Sequence, residues 1–205
     1  QVELLATQSQ AVSQQTGQLA TALRGDNKTL GNWGELTLER LLDASGLEKG
    51  RDYQTQVSAT SEGGQRQQPD VLINLPDNRC VIIDAKTSLK DYLAHVNATD
   101  EPARTATLKA HAVAFDTHIN NLAKRRYQNL FPDRSPDFVL MFVPSEPALA
   151  LALYARPSLY ETAANANIIL TGPGGLLATL RLVAQLWRQE NQRQAITSIF
   201  DTIRK

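Results

Sequence analysis

The chain has 205 residues, of which 42% are hydrophobic and 20% are charged, enough for one well-packed domain. Its 21 basic residues are matched by 21 acidic ones, which excludes nucleic-acid binding through bulk positive charge and leaves only a local patch for it. The single cysteine, Cys80, excludes a disulfide framework within the chain, and no stretch is apolar enough to span a membrane. Because the chain starts at Gln1 rather than Met, we expect a piece of a longer protein, in which an anchor or targeting segment can come first.

Residues 1–24 form a polar, glutamine-rich segment that differs from the rest of the chain. Its apolar residues fall on the a and d positions of one heptad frame and are Val2, Leu5, Val12, Leu19 and Leu23. This pattern predicts a helical arm over residues 1–24, the end of a coiled coil that could join copies into a homo-oligomer, and a separate domain over residues 25–205. A single helix that lies on the domain fits the same pattern.

A helix is predicted from about Lys28 to Ser45, because leucines repeat at helical spacing and Gly46 is a typical C-terminal glycine. Glu35 lies at the edge of the apolar stripe of this helix, about 20° from Leu42 at 100° per residue. A carboxylate at that position can reach a site between helix and sheet. A solvated glutamate is the other interpretation.

Segment 68–86 has the pattern of a β-hairpin, with two runs rich in valine and isoleucine joined by the turn 76–78. Asp70 starts the first strand, and Asp84 and Lys86 end the second. In an antiparallel hairpin these side chains meet at the end away from the turn, and Asp84 and Lys86 share one face of their strand. Two carboxylates and an ammonium group are costly at the end of an apolar hairpin, and a metal ion would explain them.

The other elements follow from periodicity and breaks. Strands are predicted at 52–59, 138–143 and 168–170, and helices at 101–130, from 146, after 157, and after the glycine-rich turn 171–175. The long helix has Val113 and Phe115 among its core candidates, and its His111 and His118 lack partners at zinc-ligand spacing. This order predicts an α/β fold with a mixed sheet, an antiparallel three-strand meander plus two further strands, flanked by helices on both faces.

The Pro-Asp pair and the Asp-x-Lys triplet of the hairpin, on paired strands behind a helix that carries Glu35, resemble the PD-(D/E)xK nuclease superfamily. The resemblance implies a restriction-endonuclease-like fold in which Asp70 and Asp84 bind Mg²⁺ (or Mn²⁺), and Glu35 completes the metal's shell or holds one of its waters. It implies that Lys86 orients or deprotonates the attacking water and offsets charge on the phosphate. A buried ion pair between Asp84 and Lys86 is the interpretation without a metal.

A wider resemblance rests on several segments in one order: 31–35, 46–47, 68–71, 75–76, 83–86, 142–146 and the amphipathic helix with Trp187. From Gly31 onward the chain resembles the RmuC family of DNA recombination proteins. The resemblance implies a bacterial nuclease that limits inversion at short inverted repeats, on the cytoplasmic face, with a membrane anchor and a coiled coil upstream. The turn 171–175 departs from the expected Ser-Pro-Thr type, although its glycines leave backbone N–H groups free for a phosphate. A plain tight turn is the other interpretation.

Other candidate contacts to DNA lie outside the hairpin. One dense basic cluster ends the long helix and consists of Lys124, Arg125, Arg126 and Tyr127. This cluster could bind phosphate and stack on a base, although a solvated helix end gives the same pattern. Arg66, in the polar loop beside Asp70, is the better-placed contact. Gln68 and Glu146 are accessory candidates, and Glu146 follows a buried strand, where α/β proteins form sites, with helix capping as its other interpretation.

Three functions therefore stay open at the level of sequence. The first is a metal-dependent DNA nuclease, which the complete set of Asp70, Asp84 and Lys86 favours. The second is an inactive module of the same fold that binds DNA or a partner, and the third is an assembly protein that acts through its terminal helices. The neutral net charge and the heptad pattern of the arm support these two alternatives.

Overall fold

The computed structural model describes residues 27–60, 66–86, 89–127, 130–131, 134 and 138–203. The predicted arm at residues 1–24 therefore lies outside the described residues. The elements in chain order are α1 (Asn27–Ser45), β1 (Tyr53–Thr55), β2 (Ala59–Thr60), β3 (Arg66–Gln67), β4 (Val71–Asn74), β5 (Cys80–Ala85), α2 (Leu89–Val96), α3 (Glu101–Arg125), β6 (Val139–Phe142), α4 (Glu146–Ala155), α5 (Leu159–Asn165), β7 (Ile168–Thr171) and α6 (Pro173–Ile203).

Five strands form one mixed sheet in the order β1-β4-β5-β6-β7. Strand β4 runs antiparallel to both β1 and β5, whereas β6 runs parallel to β5 and β7 parallel to β6. Strands β2 and β3 pair with each other as a separate two-stranded sheet, so the three antiparallel strands of the main sheet are not consecutive along the chain. The prediction of an α/β fold with a mixed sheet flanked by helices is confirmed.

The two faces of the sheet carry separate hydrophobic clusters, because successive strand residues point to opposite sides. The cluster with α1 and α6 includes Val71, Ile73, Val81, Ile83, Leu38, Leu42, Leu177 and Leu180. The cluster with α3 and α4 includes Leu72, Cys80, Ile82, Met141, Phe115, Ile119, Tyr127 and Leu149. In β5 the odd-numbered residues thus face α1 and the even-numbered ones face α3. Asp84 consequently lies on the α3 side.

Two predicted boundaries are wrong for the same physical reason. The first strand ends at Thr55 rather than at residue 59, because Gln56 has a φ of 54° and cannot continue an extended strand. The long helix ends at Arg125 rather than at residue 130, because Arg126 caps it in the left-handed conformation, with φ 46° and ψ 51°. Val113, a predicted core residue of this helix, is 44% exposed and does not belong to the core.

Other predicted boundaries are confirmed. Helix α1 ends directly before Gly46, whose φ of 85° is a conformation that glycine adopts without strain. All four residues of β6 are buried, as its unbroken apolar run predicts. Among the described residues, no helix combines the length and the apolar character needed to cross a membrane.

Candidate functional site

The β4–β5 hairpin brings the two predicted carboxylates together. Val71 pairs with Ile83, so Asp70 and Asp84 are the next residues at this end of the two strands, and the charge of Asp84 acts on Asp70. Asp70 Oδ2 accepts a hydrogen bond from the backbone N–H of Ala85 at 2.6 Å. The backbone of the second strand thus holds the carboxylate of Asp70 at the end of β5, the strand that carries Asp84.

The electrostatic environment of Asp70 disfavours its charged form. Burial raises the pKa of Asp70 above its usual value, the negative charge of Asp84 raises it further, and Glu35 adds a smaller contribution. The Ala85 N–H and the ammonium of Lys86 act against this rise without cancelling it. A cation near Asp70 would therefore relieve an unfavourable interaction that the folded chain contains.

Asp84 is held by three side chains and is only 1% exposed. Its Oδ1 accepts hydrogen bonds from Arg125 Nη1 and from the hydroxyl of Tyr127, both at 3.0 Å. Its Oδ2 contacts Lys86 Nζ as an ion pair, without the geometry of a hydrogen bond. We call Lys86, Arg125 and Tyr127 the Asp84 clamp. The clamp supplies two positive charges and a neutral donor to one buried carboxylate.

The end of α3 explains how Arg125 and Tyr127 reach Asp84. Arg125 is the last residue of the helix, and the left-handed Arg126 turns the chain so that Tyr127 enters the core on the same side. Arg125 Nη1 also donates to the Tyr127 hydroxyl at 2.6 Å, which locks the two side chains together. Burial and the nearby charge of Asp84 raise the pKa of Tyr127, so its hydroxyl keeps the proton that it donates.

His118 is a further residue near this site that the sequence reasoning missed. It lies seven residues before Arg125 on α3, and two helical turns place the two side chains on one face. Burial lowers the pKa of His118, the positive charge of Lys86 lowers it further, and the charge of Asp84 opposes this. In the sequence, the spacing of seven residues between His118 and Arg125 indicates that the two side chains share one face of the helix. His111 lies elsewhere, with Nε2 2.7 Å from the carbonyl oxygen of Ala148.

Glu35 approaches the site from the other face of the sheet, because α1 packs against the odd-numbered residues of β5. Glu35 is exposed, and it lines a cavity of about 270 Å³ together with Gln68 and Asp70. Gln68 Nε2 donates to the carbonyl oxygen of Gln56 at 3.2 Å, which fixes the wall of this cavity. Glu35 and Gln68 are thus neighbours of Asp70 across the strand end, while Asp84 faces α3.

The donors at this strand end suit a hard cation in their chemistry. Asp70 and Asp84 offer carboxylate oxygens, and the carbonyl oxygen of Ala85 lies 3.5 Å from Lys86 Nζ, on the same side of the strand end. Among the described residues, no three histidine, cysteine, aspartate or glutamate side chains lie close enough together to hold a metal ion. Mg²⁺ is commonly bound by one or two carboxylates and several waters, so the two aspartates fit it. To bind the ion, Asp84 would have to give up its contact with one side chain of the clamp.

One backbone N–H of the glycine-rich turn before α6 is already bonded within the chain, so the turn offers fewer N–H groups to a phosphate than the sequence suggests. The backbone N–H of Gly174 donates to Glu146 Oε1 at 2.9 Å, and a Cβ at Gly172 would collide with the same carboxylate. Glu146 thus caps the start of α6, where the helix dipole favours negative charge. This contact is a capping interaction with α6, whereas Ser145 caps α4, the helix that Glu146 begins.

The structure divides the predicted basic cluster. Arg125 and Tyr127 contact Asp84, whereas Lys124 and Arg126 are exposed at the end of α3. Arg66 is part of β3, with its backbone paired to Thr60, and its side chain lies outside the described ones. A role of these residues in DNA binding stays a prediction.

Comparison with known proteins supports the family that the segments of the sequence resemble. The profile of the RmuC family matches residues 1–205. The DNA recombination protein RmuC homolog of Pseudomonas aeruginosa is 48% identical over 176 residues, which are 86% of this chain and 39% of that protein. The DNA recombination protein RmuC of Escherichia coli K12 is 44% identical over 194 residues, 95% of this chain and 41% of that protein. The chain therefore spans about two fifths of the length of these curated relatives. Because the profile covers every residue and the relatives share this degree of identity, the chain belongs to the RmuC family.

Proposed function

We propose that this domain is a metal-dependent DNA nuclease that hydrolyses phosphodiester bonds by direct attack of water and acts in DNA recombination. The observation that carries the proposal is the meeting of Asp70 and Asp84 at one end of the β4–β5 hairpin, with Lys86 in contact with Asp84. The names of the relatives support the role in recombination. For the whole protein, we propose that it limits inversion at short inverted repeats.

The arrangement of elements supports a restriction-endonuclease-like fold of the PD-(D/E)xK type. Helix α1 precedes the antiparallel strands β1, β4 and β5, and β6 continues the sheet in parallel. Asp70 directly precedes β4, and Asp84 and Lys86 lie at the end of β5, which supports the resemblance to this superfamily. The β2–β3 hairpin is an addition between β1 and β4.

The side chains of the site have distinct roles in this proposal. Asp70 and Asp84 would hold Mg²⁺ or Mn²⁺, the carbonyl of Ala85 would add a ligand, and Glu35 would act from the Asp70 side. The ion, when bound, would supply a water of lowered pKa and offset the charge of the phosphate. Lys86 would orient the attacking water and stabilise the negative charge that develops on the phosphate oxygens. The Tyr127 hydroxyl would keep Asp84 in one orientation.

Cleavage assays with matched variants test the proposal. The purified protein should degrade DNA with Mg²⁺ or Mn²⁺ and stop when a chelator is added. Asp70→Asn and Lys86→Gln should abolish cleavage, whereas Asp77→Asn should not, because Asp77 is exposed in the turn at the other end of the same hairpin. Equal cleavage by Asp70→Asn and the wild-type protein would exclude these residues as the catalytic site.

One observation favours the alternative of a catalytically inactive module that binds DNA or a partner. Both carboxylate oxygens of Asp84 already have partners in the chain, as in a purely structural ion pair. A binding module should retain DNA affinity in a chelator and in the Asp70→Asn variant, and it should show no metal-dependent cleavage. The cleavage assay and a DNA-binding titration together separate the two functions.

The proposal also concerns partners and location of the whole protein. Lys124, Arg126 and the Arg66 loop are the proposed contacts to DNA, and the residue 1–24 arm is the proposed contact between copies of the chain. A membrane would be reached only through a segment upstream of residue 1, which would place this domain on the cytoplasmic face. Light scattering before and after deletion of residues 1–24 tests the homo-oligomer.

A further inference from the structure

We propose that Arg125 is an exchangeable counter-ion of Asp84, which neutralises this carboxylate until a divalent cation binds and then gives it up. The inference rests on the proposed function, because it assumes that Asp84 is a metal ligand. It adds a residue to the site that lies 41 positions from Asp84 in the sequence and outside the hairpin motif.

Asp84 carries one negative charge and has two positively charged neighbours. Lys86 and Arg125 both contact this one carboxylate, which is 1% exposed. A divalent cation between Asp70 and Asp84 would bring two more positive charges to within a few ångströms of both. Like charges at a buried position repel strongly, so the divalent cation can bind at low cost only if the side chain of Lys86 or of Arg125 moves away from Asp84.

Exposure and attachment decide which cation moves. Lys86 is two residues from Asp84 on the same strand, its side chain is 20% exposed, and its Nζ also contacts the carbonyl oxygen of Ala85. The side chain of Arg125 is 42% exposed and stands in the last turn of α3, so its guanidinium can rotate into solvent without a change in the backbone. Tyr127 would remain as the neutral donor to Asp84. Arg125 is therefore the member of the clamp that exchanges.

The same contacts also fit the opposite role, in which Arg125 orients Asp84 for the metal. The two roles differ in the sign of one measurable quantity. If Arg125 competes with the cation, its removal strengthens cation binding. If Arg125 orients the carboxylate, its removal weakens cation binding. Metal affinity of the protein without substrate therefore separates the two roles, and no activity is needed.

The experiment is a calorimetric titration with Mn²⁺ of the wild-type protein, Arg125→Gln and Lys109→Gln. Lys109→Gln is the control, because it removes a positive charge from an exposed side chain of the same helix, away from the proposed metal site and the proposed DNA contacts. We expect Arg125→Gln to bind Mn²⁺ more tightly than the wild-type protein, because a competing positive charge is removed; solvent screening of this half-exposed guanidinium limits the gain to about tenfold. Lys109→Gln should stay within about twofold of the wild-type affinity.

The outcomes distinguish this inference from the proposed function. Equal or weaker Mn²⁺ binding by a folded Arg125→Gln variant overturns the exchange, although the nuclease proposal would survive. Absence of binding to both the wild-type protein and Arg125→Gln contradicts the proposed metal site itself. If Arg125→Gln does not fold, arginine side-chain NMR of the wild-type protein replaces it. The guanidinium resonance of Arg125 should change to that of a solvent-exposed group on Mg²⁺ addition, and an unchanged resonance overturns the inference.

Discussion

Replacement of Asp84 by asparagine should destabilise the metal-free protein. In the structure Asp84 is the shared counter-ion of Lys86 and Arg125, and it accepts a hydrogen bond from the Tyr127 hydroxyl. Asparagine keeps the shape of the side chain but removes the charge, so two cations lose their partner inside the protein. The sequence alone, with two carboxylates at a strand end, predicts the opposite sign, because relief of repulsion by Asp70 would leave stability level or raise it.

The magnitude follows from the exposure of the two cations. Removal of one partner from a fully buried ion pair costs about 3–5 kcal/mol. Here the side chains of Lys86 and Arg125 are 20% and 42% exposed and can reach water, and Asp70 is freed from one repulsion. We therefore expect a loss of about 2 kcal/mol in the free energy of unfolding. In a domain of this size that corresponds to a decrease of about 4–8 °C in Tm.

Thermal and urea unfolding of Asp84→Asn in the presence of a chelator measure this loss, with Asp77→Asn as the exposed control. Asp70→Asn supplies a contrast of opposite sign. Because the pKa of Asp70 is raised in the folded state, its charged form destabilises the fold at neutral pH, and this penalty disappears as the pH falls toward the ordinary value of 3.8. Asp70→Asn should thus raise Tm at pH 7 and lose its advantage below about pH 4. An Asp84→Asn variant that is as stable as Asp77→Asn would refute the clamp.

Three further predictions concern other contacts of the structure. Gly172→Ala should displace Glu146 from the start of α6 and lower the free energy of unfolding in urea by about 1–2 kcal/mol. In a Glu146→Ala background the same substitution should cost almost nothing, and additive losses of stability would contradict the contact. Tyr127→Phe should lose about 1–2 kcal/mol with an unchanged denaturant slope, and wild-type stability would show that its hydroxyl is not needed by Asp84. Burial lowers the pKa of His111, so stability should fall as the pH decreases below 6.5; His111→Gln, which keeps a donor for Ala148, should flatten this slope, and an unchanged slope would exclude His111 as its source.

Most of the fold could be predicted because its elements are marked by local pattern. The unbroken apolar run of β6 and the leucine stripe of α1 each depend on residues close in sequence. The wrong boundaries lie at Gln56 and Arg126, which adopt positive φ although neither is glycine. Nothing in the local sequence marks such a residue, because the surrounding tertiary contacts supply the energy that the conformation costs. The short, polar strands β2 and β3 have no periodicity to reveal them.

The site divides into predictable and unpredictable parts by sequence separation. Asp70, Asp84 and Lys86 belong to one hairpin, so strand geometry alone predicts that they approach one another. Arg125 and Tyr127 contact Asp84 across 41 and 43 positions, and these contacts depend on where α3 ends and on the turn at Arg126. The sequence showed their charge and aromatic character, which predicts a DNA contact as readily as an internal clamp. Only the tertiary arrangement distinguishes a guanidinium that faces Asp84 from one that faces solvent.

Asp84 is both a proposed metal ligand and the counter-ion of Lys86 and Arg125, and this double role decides which variants can establish the function. A loss of cleavage in Asp84→Asn has two sufficient causes, since the substitution removes both a proposed metal ligand and the counter-ion of a buried clamp. Asp70→Asn does not share this ambiguity, because relief of an unfavourable charge should make the protein more stable while the proposed metal site loses a ligand. A more stable protein that has lost both Mn²⁺ binding and cleavage could not be explained by misfolding. Asp70, rather than the more deeply buried Asp84, is therefore the residue at which nuclease and binding module are best separated.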